Sequence, residues 1–319
     1  MKKKIAVLGE CMLEIQKTQS GLRQGFGGDT LNTAVYLARL ARAANVDLSV
    51  SYFTALGKDH LSDDMINRWQ QEGVDTTHVA RYADKLPGLY LIENREDGER
   101  DFHYWRQDAA ARYWIAREDN DHLYTILSDY DLIYLSGITL AIQDSASLIK
   151  LLNLIKKLKE SGCVVAFDSN YRERLWPTPA QAQECYEQML ALTDIALLTL
   201  DDEQKLYQEK TQNDTLTRLQ AFGLGQLVLK SGSDGCMVVT QGQEQWVPTT
   251  AIHDVVDTTA AGDSFNAAYI YKWLSNQDAI QAALAGHTLA GQVIRHYGAI
   301  IAQEAMPRLC TVMLGEKNE

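Results

Sequence analysis

Between about residues 119 and 230 the chain repeats one pattern, a short apolar run followed by a helical stretch, and this alternation narrows the possible folds most. Runs at 131–135, 164–168, 195–200 and 226–230 read as strands, and 145–160, 179–192 and 214–222 read as helices. Strands alternating with amphipathic helices build βαβ units. The spacing therefore predicts an α/β fold with a mostly parallel central sheet covered by helices on both faces. The beginning fits the same plan: a strand at 4–9, a helix at 30–44 capped by Asp29 or Thr30, a strand at 48–56 and a helix at 61–72. Near the other end, a strand pair at 235–240 and 244–247 precedes two apolar helices, around 263–274 and 278–296.

One region departs from this plan. Stretches 89–93 and 100–106 are strand-like and are separated by Glu96-Asp97-Gly98-Glu99, which carries a hairpin signal. With residues 12–26 they are expected to form a small β-sheet set off from the main body. Residues 1–319 then read as one domain, with the strands of a small lid inserted from about 12–26 and 86–106.

Charge and composition exclude several classes. A net charge of −12 argues against non-specific nucleic-acid binding. No apolar run approaches the roughly 20 residues that span a bilayer. Met1-Lys2-Lys3-Lys4 resembles the basic start of a signal peptide, but the apolar run stops at Gly9-Glu10, so it reads as a first strand. The five scattered cysteines lack any Cys-x-x-Cys pair, which fits reduced thiols in the cytoplasm. The seven histidines show no metal-like spacing.

The chemistry concentrates in Asp257-Thr258-Thr259-Ala260-Ala261-Gly262-Asp263, which precedes a helical run beginning Ser264-Phe265-Asn266. A helix N-terminus attracts phosphate through its unpaired N–H groups and dipole, and small residues let the phosphate approach closely. Asp263 reads either as a capping aspartate or as a base that takes a proton from a hydroxyl attacking that phosphate. Gly27-Gly28-Asp29 with Asn32 reads as a glycine turn with a capping aspartate, or as hydrogen-bond partners for polyol hydroxyls. In Tyr104-Trp105-Arg106, strand alternation puts Tyr104 and Arg106 on one face, as sheet packing with a solvated arginine or as a clamp for a carboxylate. Asn170 and Arg172 follow the strand at 164–168, at the carboxyl edge where ligands bind open α/β sheets. Arg172 reads equally as a partner of Asp168 or Glu173. Lys230-Ser231-Gly232-Ser233-Asp234-Gly235 is a hairpin turn or a backbone approach to a nucleotide, and it is not a Walker A loop. Asp201-Asp202-Glu203 is either the acidic first turn of a helix or a cluster that holds Mg²⁺ through water.

These segments, in this order, resemble the ribokinase-like (PfkB) carbohydrate kinases over nearly the whole chain. The carriers are the opening strand at 5–10, Gly27-Gly28-Asp29, Asn32, the small sheet and the stretch from Asp257 to Asp263. Gly27-Gly28-Asp29-Thr30-Leu31-Asn32, Leu86-Pro87-Gly88-Leu89-Tyr90, Tyr104-Trp105-Arg106 and Asp168-Ser169-Asn170-Tyr171-Arg172 are similar to the branch acting on keto-deoxy sugar acids. The resemblance implies a ribokinase-like fold and transfer of the γ-phosphoryl group of ATP, with Mg²⁺, to the 6-hydroxyl of 2-keto-3-deoxygluconate. It implies Asp263 as general base, with Ala260, Ala261 and Gly262 forming the nest for the developing charge. Gly28, Asp29, Asn32, Tyr90, Tyr104, Arg106, Arg172 and Asp257 would line the sugar-acid pocket. Asn170, Lys230, Ser231, Gly232, Ser233, Asp234 and Gly235 would contact the nucleotide.

A carboxylate substrate on a chain of net charge −12 needs local cations, and Arg106 and Arg172 are the expected pair. Two positions depart from the family pattern. Ala260 stands where glycine is frequent, and a negative φ is expected to keep the nest open there. Leu200-Asp201-Asp202-Glu203 stands where the family often has Asn-x-x-Glu, leaving Asp201 or Glu203 to meet a metal through water. Carbonyls near 254–256 and 298–299 could serve a monovalent cation. A lone lid sheet would have a raw edge, so a homo-oligomer paired through the lid is expected. Two other readings compete: a kinase for a neutral sugar such as fructose, and a non-catalytic sugar or nucleotide sensor. A nicotinamide dehydrogenase is disfavoured because Gly9-Glu10-Cys11 lacks the dinucleotide fingerprint.

Overall fold

The computed structural model describes residues 2–18, 21–94 and 100–309. The strands, in chain order, are β1 (Lys3–Leu8), β2 (Met12–Thr18), β3 (Gly21–Gly27), β4 (Leu48–Gly57), β5 (Val79–Tyr82), β6 (Leu89–Asn94) and β7 (Arg100–Trp105). They continue with β8 (Leu132–Ser136), β9 (Val164–Asp168), β10 (Ile195–Thr199), β11 (Gln226–Lys230), β12 (Gly235–Thr240) and β13 (Gln243–Pro248).

A nine-stranded sheet runs in the order β13-β12-β11-β10-β9-β8-β1-β4-β5. Its pairs are parallel from β5 through β11, and the β11–β12–β13 edge is antiparallel. Alternation along β1 sends Ile5 and Val7 to one face, and Ala6 and Leu8 to the other. The first face packs on helices Asp29–Ala43, Ala261–Asn276 and Ala279–Val293. The second packs on Ser145–Glu160 and Pro179–Leu192. Both faces are therefore covered, as near-continuous apolar strands require.

The smaller sheet has four strands in the order β3-β2-β6-β7. β2 and β6 pair in parallel, and each has an antiparallel outer neighbour. The turn expected at Glu96–Glu99 lies outside the described residues.

Several boundaries moved for physical reasons. The helix expected at 214–222 is Gln212–Gln220, because Thr211 and Asp214 form a reciprocal capping box. The helix expected at 30–44 is buried along nearly its whole length, being sandwiched between the sheet and Ala261–Asn276. Its apolar stripe alone does not show this. β5 went unread because four edge residues, Val-Ala-Arg-Tyr, carry too little alternation.

The strand order places the site. From β1 the chain moves first to β4 and β5, and later to β8 and onward in the other direction. Where the order reverses, the carboxyl ends of β1 and β8 leave a crevice. Residues Gly9-Glu10-Cys11 leave β1 there for the small sheet, and Gly28 brings the chain back into the helix Asp29–Ala43.

Candidate active site

The helix Ala261–Asn276 starts at this crevice. Its N-cap is Ala260, at φ 61° and ψ 18°. The expectation of a negative φ is thus corrected: the chain reverses into the helix through a left-handed residue, a conformation that costs alanine about 1 kcal/mol. The turn is closed by Ala261 N–H to Thr258 O at 3.2 Å and Ser264 N–H to Ala260 O at 2.9 Å. The intervening first-turn N–H groups have no acceptor within the helix.

Asp263 is partly buried in that first turn. Asn32 Nδ2 donates to its Oδ2 at 2.8 Å, and Thr33 Oγ1 donates to its carbonyl at 3.1 Å. Both partners come from the helix Asp29–Ala43, which packs along this one. Burial, and then the charge of Asp29, push the Asp263 carboxyl well above the usual carboxylate range. Asp29 itself is held by Asn170, whose Nδ2 donates to Oδ2 at 2.6 Å from a left-handed backbone at φ 31°.

Beneath the nest lies a buried polar layer. Lys230 ends β11 with its ammonium 2.9 Å from Asn266 Oδ1 and 3.4 Å from Asp168 Oδ1. Asn266 Nδ2 donates to Asp168 Oδ2 at 2.9 Å and lies 3.0 Å from the Tyr134 hydroxyl. Asn266 stands one helical turn beyond Asp263, a spacing that could have suggested it from the sequence.

On the lid side, Tyr90 and Tyr104 are paired across β6 and β7, with ring centroids 5.9 Å apart. The Tyr90 hydroxyl donates to Glu14 Oε2 at 2.6 Å. Arg106 lies just past β7 and is buried against Glu10, a residue that sequence reasoning did not single out. Arg106 Nη2 donates to Glu10 Oε2. Arg106 Nε, Glu10 Oε1 and Asn32 Oδ1 are buried with no partner among the described residues. Gly28 is backbone-critical: a Cβ there would come 2.3 Å from the Glu10 carbonyl oxygen.

Other expected residues are placed differently. Arg172 is half exposed, 3.7 Å from Asp202, so neither arginine is an uncommitted cation. Glu203 is buried against Arg218 at 2.9 Å, and burial lifts its carboxyl to about 7. Asp201 is exposed on the opposite side of that turn. Neither meets the crevice. Asp202 does, accepting from Tyr171 N–H at 3.1 Å. Asp257 binds Thr259 N–H and hydroxyl through Oδ1 and Gly298 N–H through Oδ2, so it shapes the loop that carries the nest. The Ala299 carbonyl, one of those considered for a monovalent cation, accepts from the Tyr36 hydroxyl at 2.7 Å. Ser231 to Gly235 form the β11–β12 turn, with Gly232 at φ 54° and Gly235 at φ 126°. Among the described residues no cluster of His, Cys, Asp and Glu could by itself hold a metal ion, and no helix is long and apolar enough to cross a membrane.

Comparison with known proteins fits this geometry. The family described as pfkB family carbohydrate kinase matches residues 2–306. The chain is 48% identical over 308 residues to the 2-dehydro-3-deoxygluconokinase of Dickeya dadantii, covering 96% of this chain and 99% of that one. The crystal structure of a Thermotoga maritima 2-dehydro-3-deoxygluconokinase superposes with a TM-score of 0.81 at 22% identity, covering 94% of this chain and 95% of that one. A Salmonella enterica aminoimidazole riboside kinase, solved with its riboside and an ATP analogue, gives a TM-score of 0.79 at 22% identity over 96% of each chain.

Proposed function

Because the chain belongs to the pfkB family of carbohydrate kinases, we propose that it is a 2-dehydro-3-deoxygluconokinase, phosphorylating the 6-hydroxyl of 2-keto-3-deoxygluconate with ATP. Asp263, a carboxylate held at the mouth of an anion nest, is the observation that carries the chemistry. The sugar hydroxyl gives its proton to Asp263 as its oxygen attacks the γ-phosphorus, the bond to the β-phosphate oxygen breaks, and ADP leaves. Backbone N–H groups around Ala261 and Gly262 stabilise the charge on the moving phosphoryl group, in a place set before the substrate arrives.

The substrate assignment rests on the near full-length relative, and the lid crevice suits it. Arg106 Nε can donate to a carboxylate, while Glu10 Oε1 and Asn32 Oδ1 can accept from hydroxyls. Tyr90 and Tyr104 offer a flat wall beside them. Asn170 and the turn from Ser231 to Gly235 face the nucleotide in this reading. Mg²⁺ would be held chiefly by the ATP phosphates, whose charge it neutralises, with Asp202 as the acidic side chain suited to a contact through water. The lid pairs with a second copy, and the buried free thiols of Cys11, Cys163, Cys185 and Cys236 suit a reducing cytoplasm.

One observation favours a neutral sugar instead: each arginine already faces a carboxylate. ADP release with MgATP across 2-keto-3-deoxygluconate, its galacto epimer, gluconate, fructose and ribose separates the two. Turnover on the keto-deoxy acid, lost in Asp263→Asn, is the expected result. Turnover confined to fructose or ribose overturns the substrate, and no turnover with binding intact overturns the kinase.

A further inference from the structure

The transfer site is crowded with acidic groups. Asp263 lies in the first turn of the nest helix, Asp29 opens the helix packed along it, Asp168 ends β9 against Lys230 and Asn266, and Asp202 accepts from Tyr171 N–H just past β9. A γ-phosphoryl group brings more, on a chain whose net charge is already −12. Helix-terminal N–H groups alone oppose this poorly, since a helix end is worth roughly half a charge. Arg172 is half exposed and turned toward Asp202, so its charge is screened by water.

Lys230 is different. It is 7% exposed, and a Cβ built on Gly262 would lie 3.6 Å from its ammonium. The charge therefore rests against the backbone of the nest itself. Its contact with Asp168 is loose at 3.4 Å, and its shorter bond, 2.9 Å, goes to the neutral amide of Asn266. Burying an ammonium in so incomplete a partnership is a poor way to gain stability. Its position behind the anion site is the better explanation for its presence.

We propose that Lys230 is the resident counter-charge of the transfer site: it adds a full positive charge to the anion nest from behind and keeps Asp263 able to accept the hydroxyl proton. It is a positioning residue, acting through the nest and Asp263. The inference rests on the reading of Asp263 as base and goes beyond a nucleotide contact for this residue. The groups that face Asp263 set the sign. Asp29 at the start of the neighbouring helix Asp29–Ala43 and Asp168 at the end of β9 hold its proton on, Lys230 at the end of β11 draws it off, and Asn32 bonds the ionised form.

The test is the pH dependence of kcat in Lys230→Met and in Lys230→Met/Asp168→Asn, on whichever sugar the wild type phosphorylates, with Tm as the check on folding. In Lys230→Met, kcat should fall about 10²-fold and the acid limb should move about one unit to higher pH. In the double variant, which loses one charge of each sign, the limb should return toward the wild-type position while kcat stays low, because the nest has still lost its cation. A folded Lys230→Met with an unmoved limb overturns the proposal. Should that variant not fold, a double variant with wild-type kcat overturns it equally. Tripolyphosphate binding by calorimetry separates this proposal from the function assigned above. Lys230→Met should weaken it about 10-fold even if no sugar tested is a substrate, and unchanged binding counts against the counter-charge.

Discussion

The carboxyl end of the large sheet and the small sheet, on both of its faces, are finished to different degrees. At the first, Asp168, Lys230, Ser264 and Asn266 are all buried, and each has a hydrogen-bond partner within the chain. On the second, Leu22 is 73% exposed, Trp105 59% and Tyr104 50%. A buried polar network is costly unless satisfied, so its presence marks a place whose geometry must be fixed before the substrate comes. Open aromatic and aliphatic side chains mark a surface that something else completes. On the function proposed above, the comparison suggests a division of labour: phosphoryl transfer at the satisfied end of the large sheet, and selection of the sugar at a lid left for substrate, or for a second copy of the chain, to complete.

The largest expected effect tests the satisfied end. Asp263→Asn should lower kcat by about 10²–10⁴-fold, the usual worth of a general base. It should also raise Tm at neutral and alkaline pH. Folded Asp263 holds its proton to a higher pH than the unfolded chain does, so stability declines as pH rises from the ordinary carboxylate range through the raised value. Asparagine removes that cost, and the gain in Tm should vanish in acid. In the wild type the acid limb of kcat should lie above the ordinary carboxylate range for the same reason. An active, unstabilised Asp263→Asn would break the comparison at its stronger side.

Arg106→Ala comes next and tests the lid side. On the keto-deoxy acid it should cut kcat/KM by roughly 10²-fold, and far less on a neutral sugar if one is turned over. Stability should drop as well, by about 3–5 kcal/mol, because Glu10 would be left buried and unpaired. Arg106→Met with Glu10→Gln removes both charges and should recover most of that stability but not the turnover. Recovery of both would reduce the pair to a structural link between β1 and the lid.

How much of this could be read beforehand differs between the same two regions. The parallel strands announce themselves as short apolar runs, and the nest announces itself by small residues ahead of a buried helix. Glu10 announces nothing, because its meaning depends on Arg106, 96 residues later, arriving beside the end of β1. Among Asp201, Asp202 and Glu203 the sequence could not choose. The choice is made by helical phase once the helix starts at Leu200, which turns Glu203 inward to Arg218 and leaves Asp202 at the crevice. Residue type likewise could not show that Ala260 has a positive φ, since that follows from how the loop must reverse to enter its helix.

A smaller effect concerns the lid's open side. If two copies meet through the small sheets, Leu22→Asp with Trp105→Asp should shift light scattering from dimer toward monomer and raise KM more than it lowers kcat. Both side chains are exposed, so the change should leave Tm of the monomer nearly unaltered. A wild type that runs as a strict monomer would show that the substrate alone completes the lid.

The smallest prediction returns to the carboxyl end of the large sheet and asks whether the left-handed alanine at its nest is part of the mechanism. Ala260 adopts φ 61° without a side chain able to compensate through a hydrogen bond, whereas glycine takes this conformation freely. Ala260→Gly relieves about 1 kcal/mol in the folded chain but gives back several tenths by loosening the unfolded one, so the net gain should be below 1 kcal/mol, or roughly 1–3 °C in Tm. The nest geometry is held independently, by Thr258 O to Ala261 N–H and by the bonds of Asp257 to Thr259 and Gly298. Turnover should therefore stay within about twofold of the wild type. If kcat instead falls with the strain, the alanine is helping to aim the N–H groups at the phosphoryl group, and the rigidity of this end depends on it. If Tm rises and kcat is unchanged, the strain is incidental and the network of Asp168, Lys230 and Asn266 suffices to hold the site.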